Sequence, residues 1–417
     1  MAAKRVLITS SRSPHALCAV REFGRRGWEV TAADCTYLAA GGHSRYTARR
    51  LTWPNMTEQP GRWLETCLAE LKRVKYDLLF PTFEETFLVS RFRDELARHT
   101  TVLVESYEKM MRVHHKLELT KLAQSLNLDL PETWQPTDAN ELERIKDELP
   151  YPVVLKLPDS NNSLGLAFCD DAESLVKTWH KRVKFFGLQG DRLPMIQRKV
   201  EGELIFSLFL ADHGRTVGQL IYEPLLMFPD GGGTAFYRQS TRNHQAEKLS
   251  MELLEHLGWH GFLGFDYIIE PGSGRTLLID ANPRTNPALM TGQSAEVDFV
   301  GLAIELAEGK HPQPQLEPRP GVRSKIWFVH WLWFSFQLMP GRGWRARLRS
   351  ALRHFWLKGF VPDIHRRDDR MPGVATALFV PWFMLVINAL KGPRGGYMYG
   401  CNYDRQASEK LTLDAEQ

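Results

Sequence analysis

Cysteine is scarce in this chain of 417 residues, with only Cys18, Cys35, Cys67, Cys169 and Cys401. They are odd in number, scattered, and show neither CxxC nor Cys/His metal spacing. That excludes a disulfide framework and a spaced zinc motif, and it leads us to expect a reducing, cytoplasmic setting. The N-terminus MAAKRVLITS has no long apolar run after its charges, so no signal peptide is expected. No uninterrupted apolar run reaches the ~20 residues of a membrane-crossing helix. The longest, Val374 to Leu390, is 17 residues with Pro381 inside it. No internal repeat and no GxSxG nucleophile motif is found. A formal charge of +4 is too small to mark a nucleic-acid partner, unless it is concentrated in one place.

Glycine is also absent from the first turn. Val6 to Thr9 reads as a strand, Ser10 to Pro14 as a polar loop, Ala16 to Arg25 as a helix ended by Gly27, and Trp28 to Asp34 as the next strand. This is a Rossmann-like opening. Without glycine, however, the backbone lacks the close approach to a pyrophosphate that GxGxxG gives, so NAD is not expected here. A further strand at Tyr76 to Pro81 is followed by Glu84 and Glu85. The carboxyl end of a strand is where open α/β sheets place ligands, which makes both acids candidate substrate contacts. They would equally suit a helix start.

The stretch richest in chemistry is GFLGFDYIIEPGSGRTLLIDANPRTN, Gly261 to Asn286. Phe265 to Ile269 and Thr276 to Asp280 read as strands of a hairpin turning at Glu270 to Gly274. The turn returns Asp266 towards Asp280 and Asn282, whose even spacing puts both on one sheet face. Two carboxylates and an amide oxygen suit Mg²⁺, and Arg284 follows within reach of a phosphoryl group. Taken alone, D-x-N also suits an ordinary surface hairpin.

Upstream, Met110 to Leu126 and Asp138 to Leu149 read as helices, followed by the strand YPVVLKLP, Tyr151 to Pro158. A lysine inside an apolar run needs a counter-charge. Lys156 beside the small polar loop Asp159 to Gly165 fits a triphosphate. Met195 to Glu203 is a strand turning at Gly202, and Leu204 to Leu210 is the next. Between them and the hairpin lies the glycine-rich segment Phe228 to Arg242. Its Arg238 and Arg242 would present cations to an anionic substrate, or lie on a plain surface loop.

The order of Lys116, then Lys156 with SNNSLG, then IQRKVEGE, then FDYII–turn–LLIDANPR resembles the ATP-grasp superfamily, which includes D-alanine–D-alanine ligase, biotin carboxylase and the synthetase domains of carbamoyl-phosphate synthetase. The match covers roughly residues 4–310. It implies α/β and α+β architecture: a Rossmann-like pre-ATP-grasp domain (1–105) and two ATP-grasp subdomains (106–195 and 196–310); beyond the match, the composition leads us to expect a linker and a mainly helical C-terminal region (311–417). It further implies ATP with one or two Mg²⁺ (or Mn²⁺). Lys116 and Lys156 would hold the α/β-phosphates, and Ser160, Ser163 and Gly165 would belong to a phosphate lid. Gln197, Arg198, Lys199 and Val200 would lie along adenine through backbone hydrogen bonds, with Glu203 on the ribose. Asp266, Asp280 and Asn282 would bind metal, and Arg284 would stabilise the transferred phosphoryl group. Two departures stand out: Asp280 replaces the usual Glu, and Gln197 stands where an acid is common.

The implied activity is ATP-dependent joining of a carboxylate to an amine, or less often a thiol, through an acyl phosphate. A bicarbonate-activating relative is the enzymatic alternative, although no biotinyl-domain motif is present. A membrane-recruited nucleotide-binding scaffold without catalysis is the non-enzymatic one. Beyond four prolines between Pro312 and Pro320, the composition changes. Ile326 to Met339 is dense in aromatics, and Pro340 to Arg370 holds nine Lys/Arg against three Asp. Six of the twelve tryptophans fall between Trp327 and Trp382. Tryptophan favours the headgroup level and basic residues an anionic leaflet. The region is therefore expected to bind an anionic membrane surface peripherally without spanning it. The alternatives are a cap on the site or a homodimer interface.

Overall fold

The computed structural model describes residues 3–160, 165–228, 233–338, 344–345, 348–349, 352, 359–383 and 397–411. Ser163 and most of the expected lid lie outside these residues. So do Asp230 to Gly232 of the glycine-rich segment, most of the basic stretch including Arg353 and Trp356, and the apolar run beyond Phe383.

Strands β1 (Arg5–Ile8), β2 (Glu29–Asp34), β3 (Thr47–Thr52), β4 (Leu78–Phe80) and β5 (Thr101–Val102) form a parallel sheet of order β3-β2-β1-β4-β5. Its central strands β1, β2 and β4 are short and almost wholly buried, as parallel sheets require, while the edge strand β3 carries Arg49 and Arg50 and is partly exposed. Helix Pro14–Arg25 starts two residues before the expected Ala16, with Pro14 in its first turn and Ser13 capping Ala16 N–H. At the carboxyl ends of β1 and β4, Glu85 knits the two loops together. Its carboxylate accepts from Thr9 Oγ1 at 2.6 Å and Thr82 N–H at 2.8 Å, and also from Ser10.

A small antiparallel sheet follows, made of β6 (Thr133–Trp134), β7 (Val153–Lys156), β8 (Ala167–Cys169) and β9 (Met195–Arg198) in the order β6-β9-β7-β8. It has its own core, built on Leu155, Trp179 and Ile196. The single helix expected at 110–126 is two, Tyr107–His114 and Lys116–Ser125. His115 is extended (ψ 109°), and Lys116 N–H donates to Pro158 O at 2.9 Å instead of continuing the first helix. That break swings Lys116 to the end of β7.

The largest sheet contains β10 (Glu203–Asp212), β11 (Arg215–Phe228), β12 (Thr234–Thr241), β13 (Gly261–Ile269), β14 (Thr276–Asn282), β15 (Arg323–Lys325) and β16 (Phe360–Pro362). They are ordered β14-β13-β10-β11-β12-β15-β16. Two segments from beyond residue 311 therefore extend the sheet. The turn into β10 requires glycine, because a Cβ on Gly202 would stand 2.3 Å from Ile269 O.

The tail 397–411 straps across the first sheet. Tyr403 N–H donates to Glu84 at 2.7 Å, and Tyr397 Oη donates to Arg12 O at 3.0 Å.

Candidate functional site

The hairpin β13–β14 sets the frame. Asp266 stands directly opposite Asp280 and Gly264 opposite Asn282, but beyond Asp266 the register shifts so that Tyr267 faces Leu278. The extra residue is a β-bulge. It turns Leu278, opposite the buried Tyr267, into the core while Asp280 and Asn282 keep to the other face. Neighbouring carboxylates in a partly dry site cannot both ionise comfortably, so burial and the charge of Asp280 push the Asp266 carboxyl up. The nearby cations of Lys116, Arg284 and Lys156 oppose this.

Lys116 Nζ lies 3.1 Å from Asp280 and donates to Ser160 O at 2.8 Å, joining the hairpin to the loop after β7. Lys156 does not take an acid as its nearest partner. Its Nζ donates to Gln197 Oε1 at 2.6 Å, and Gln197 Nε2 donates in turn to Thr133 Oγ1 at 3.1 Å. A neutral amide cannot offset a buried charge, so burial brings the Lys156 ammonium down to about 8, with Lys116 adding to the fall. The carboxylates of Asp280 and Asp266 act against it.

Arg284 is 7% exposed. It lies over the Phe83 ring at 4.5 Å, donates to Thr285 O at 3.2 Å, and reaches Asn282 Oδ1 at 3.5 Å, the outer limit of a hydrogen bond. Burial lowers its basicity, opposed first by Glu84 and Asp266.

On β9 the backbone N–H groups of Arg198 and Lys199 are taken by Glu132 O (2.8 Å) and Pro152 O (3.2 Å). The side chain of Arg198 pairs with Glu270 at 2.9 Å. Among the described residues, that leaves Val200 as the N–H of this segment with no partner in the fold. Glu203 begins β10, exposed, opposite Ile269. Ser160 stands at the near end of the lid. Gly165, at its far end, is left-handed (φ +77°) and packs closely on Leu157.

The structure thus gathers Lys116, Lys156, Gln197, Asp266, Asp280, Asn282 and Arg284 at one edge, where β7, β9, β13 and β14 meet the first sheet's loops. It does not bring the other candidates there as free groups. Glu85 is the loop keystone described above and Glu84 holds the tail. Arg238 is fully buried, pairs with Asp363, and donates to Thr291 Oγ1 (3.0 Å), Ala235 O and Pro287 O. Arg242 pairs with Glu247 at 2.7 Å and with Glu317. Phe83 and Thr133 escaped the sequence reading. Nothing local marks them, because their partners are 201 and 64 residues away in the chain.

The donor set fits a divalent cation: two carboxylates face each other across one register position, one of them pushed up by burial and by the charge of the other.

No family model matches the sequence, and no curated protein matches it in sequence. Solved structures do share its fold. The biotin carboxylase domain of Hydrogenobacter thermophilus 2-oxoglutarate carboxylase superposes with a TM-score of 0.62 at 17% identity, over 76% of this chain and 72% of that one. The L-amino acid ligase of Bacillus licheniformis gives 0.59 at 14%, over 75% and 76%. Phosphoribosylamine–glycine ligase of Thermotoga maritima gives 0.58 at 16%, over 76% and 78%. The fold is the ATP-grasp fold.

Proposed function

We propose that the protein is an ATP- and Mg²⁺-dependent ligase that joins a carboxylate to an amine. The observation that carries this reading is the convergence of two lysines, two facing carboxylates and Arg284 at one edge of this fold, with their charges incompletely matched by protein partners. In the structures with the same fold, the Hydrogenobacter domain holds MgADP and bicarbonate. Two of the others are by name ligases of amino compounds.

Lys116 and Lys156 hold the phosphates of ATP, with Ser160 beside them. Gln197 to Val200 lines the adenine, with Val200 N–H the free donor and Glu203 placed for the ribose. Asp266, Asp280 and Asn282 would hold Mg²⁺, which would supply positive charge against the phosphates. The substrate carboxylate attacks the γ-phosphorus and ADP leaves, giving an acyl phosphate. Arg284 neutralises charge on the transferred group. The amine nitrogen then attacks the acyl carbon, inorganic phosphate departs, and the nitrogen loses a proton. Catalysis is positioning and charge stabilisation, with no protein nucleophile required.

A screen of phosphate release from ATP against carboxylic acids paired with amines tests this. We expect release only when both are present. Release with bicarbonate alone favours the carboxylating alternative, and nucleotide binding without release under any pair favours the scaffold.

The reading extends to where the enzyme works. Helices Trp327–Gln337 and Met371–Trp382 both pack on Tyr397 through Phe328 and Phe379. They turn Trp327, Trp331 and Phe336, and Met371, Val374, Leu378 and Trp382, outwards. Trp333, in contrast, is buried against Phe236. No helix among the described residues is long and apolar enough to cross a membrane. This aromatic face, with the exposed Arg345 and Arg349 in the same segment, supports peripheral docking on an anionic bilayer and an amphiphilic substrate. In liposome flotation, binding should need phosphatidylserine and weaken at high salt. A protein that stays unbound in every condition has its aromatics at a subunit interface instead.

A further inference from the structure

Cys35 and Cys401 are 366 positions apart in sequence, yet their sulfurs lie within 4.8 Å of each other. Cys35 begins the loop after β2 and is half-buried, while Cys401 sits in the tail strap and is only 4% exposed. Both are free thiols. Their approach is enforced from several directions. Arg12, itself buried, donates to Asp34 Oδ1 at 2.9 Å, to Tyr399 O at 3.0 Å and to Cys35 Sγ at 2.6 Å. Met56 N–H donates to Gly400 O at 3.0 Å, and Thr57 Oγ1 to Asn402 O at 2.9 Å. Gly400 packs so tightly on Cys35 that a Cβ there would stand 2.7 Å from its sulfur.

We infer that Cys35 and Cys401 form a reversible dithiol–disulfide pair that covalently locks the C-terminal strap onto the first sheet, with a low-molecular-weight disulfide as the oxidant.

The two sulfurs have distinct parts. The hydrogen bond with Cys401 and the guanidinium of Arg12 bring the Cys35 thiol down, whereas the same hydrogen bond and burial push Cys401 up. The more exposed Cys35 is thus the attacking thiolate. It displaces one thiolate from glutathione disulfide to give a mixed disulfide. Cys401, losing its proton, then attacks Cys35 Sγ and expels the second glutathione thiolate. Overall two protein thiols are oxidised by two electrons, one glutathione disulfide is reduced, and the two protons end on the two glutathiones. The other cysteines are poorly suited: burial pushes Cys18 up to about 12 and raises Cys67 and Cys169 as well. Asp34 completes a trio that could tempt a cation, but its carboxylate is already paired with Arg12, whose charge faces the same space.

The full chain, equilibrated in glutathione redox buffers, acid-quenched, alkylated and mapped by peptide mass spectrometry, provides the test. The expected product is a Cys35–Cys401 linked peptide that dithiothreitol removes, with Cys18, Cys67 and Cys169 alkylated only after unfolding. Cys401→Ser should accumulate one glutathione on Cys35, and Cys35→Ser should leave Cys401 reduced. Under native conditions we expect Cys35 to alkylate at least about tenfold faster than the three buried thiols. The wild-type map does not depend on how the variants fold. Two free thiols in the most oxidising buffer, or a lasting mixed disulfide on Cys35 in the wild type, would overturn the pairing. One zinc ion per chain retained on the pair through dialysis would overturn it in favour of a metal site.

Discussion

Two groups of buried charge lie at opposite edges of the seven-stranded sheet, and the fold treats them differently. At the β12–β15–β16 edge, Arg238 meets Asp363 and three further oxygens, and nearby Arg21 meets Asp369 at 2.8 Å along with the carbonyls of Asp363 and Ile364. At the β13–β14 edge, Lys156 leans on a neutral amide, Asp266 faces another acid, and Arg284 rests on a phenyl ring. In the first group both guanidinium groups are matched within the chain, and Asp363 Oδ1 alone is left without a hydrogen bond among the described residues. The second is complete only with something added, here proposed to be a metal–nucleotide. Buried charge alone therefore does not mark a site. Incomplete pairing of buried charge does, because desolvation has to be offset by a partner from somewhere.

Removing one member of each group should separate them. Arg238→Ala leaves Asp363 buried and unpaired and should cost ~3–5 kcal/mol of stability in denaturant titration. The double change Arg238→Met with Asp363→Leu should cost far less, since no charge is then left behind. A small loss in the single variant would break the contrast. At the other edge, Asp280→Asn should leave the free protein's stability within about 1 kcal/mol, since relief of Asp266 offsets the loss at Lys116. Calorimetry should nonetheless show MgATP binding weakened about a hundredfold, roughly 2.7 kcal/mol. Unchanged nucleotide affinity would remove Asp280 from the site. Lys156→Met should weaken MgATP binding and turnover together by about tenfold, near 1.4 kcal/mol, as expected of a charge felt in ground and transition states alike. An unaffected Kd would make Lys156 structural.

The smallest effect concerns Lys325, which lies on β15 at the first edge but pairs with none of that group's charges. It is buried between Tyr237 (5.2 Å) and Phe360 (4.6 Å), and burial lowers its ammonium from 10.5 to about 8. Its folded value lies below its unfolded one, so the folded chain releases this proton first. The penalty is full below pH 8, declines as pH rises from 8 to 10.5, and is then gone. Lys325→Met should therefore gain about 1 kcal/mol at pH 7, with the gain fading by pH 10 in thermal unfolding, the aromatic rings having already offset part of the cost. A loss at pH 7 would show that Lys325 has a counter-charge.

Local chemistry made much of this legible in the chain. Alternation and turn residues from Phe265 to Asp280 specify a hairpin wherever they occur, and the glycine-free loop at Ser10 to Pro14 argues against a dinucleotide turn without reference to anything distant. The order of Lys116, Lys156, Gln197 and the hairpin acids was enough for the fold. What the sequence could not decide was which charges are satisfied. Arg238, Glu84 and Glu85 have the same residue types and the same apparent promise as Arg284 and Asp266. Their partners Asp363, Tyr403 and Ser10 are 125, 319 and 75 residues away. The break at His115 likewise depends on Pro158 O capturing a backbone N–H from another element. Hairpins, helices and loops follow from interactions a few residues long, whereas the state of a buried charge is set by whatever the tertiary fold brings beside it.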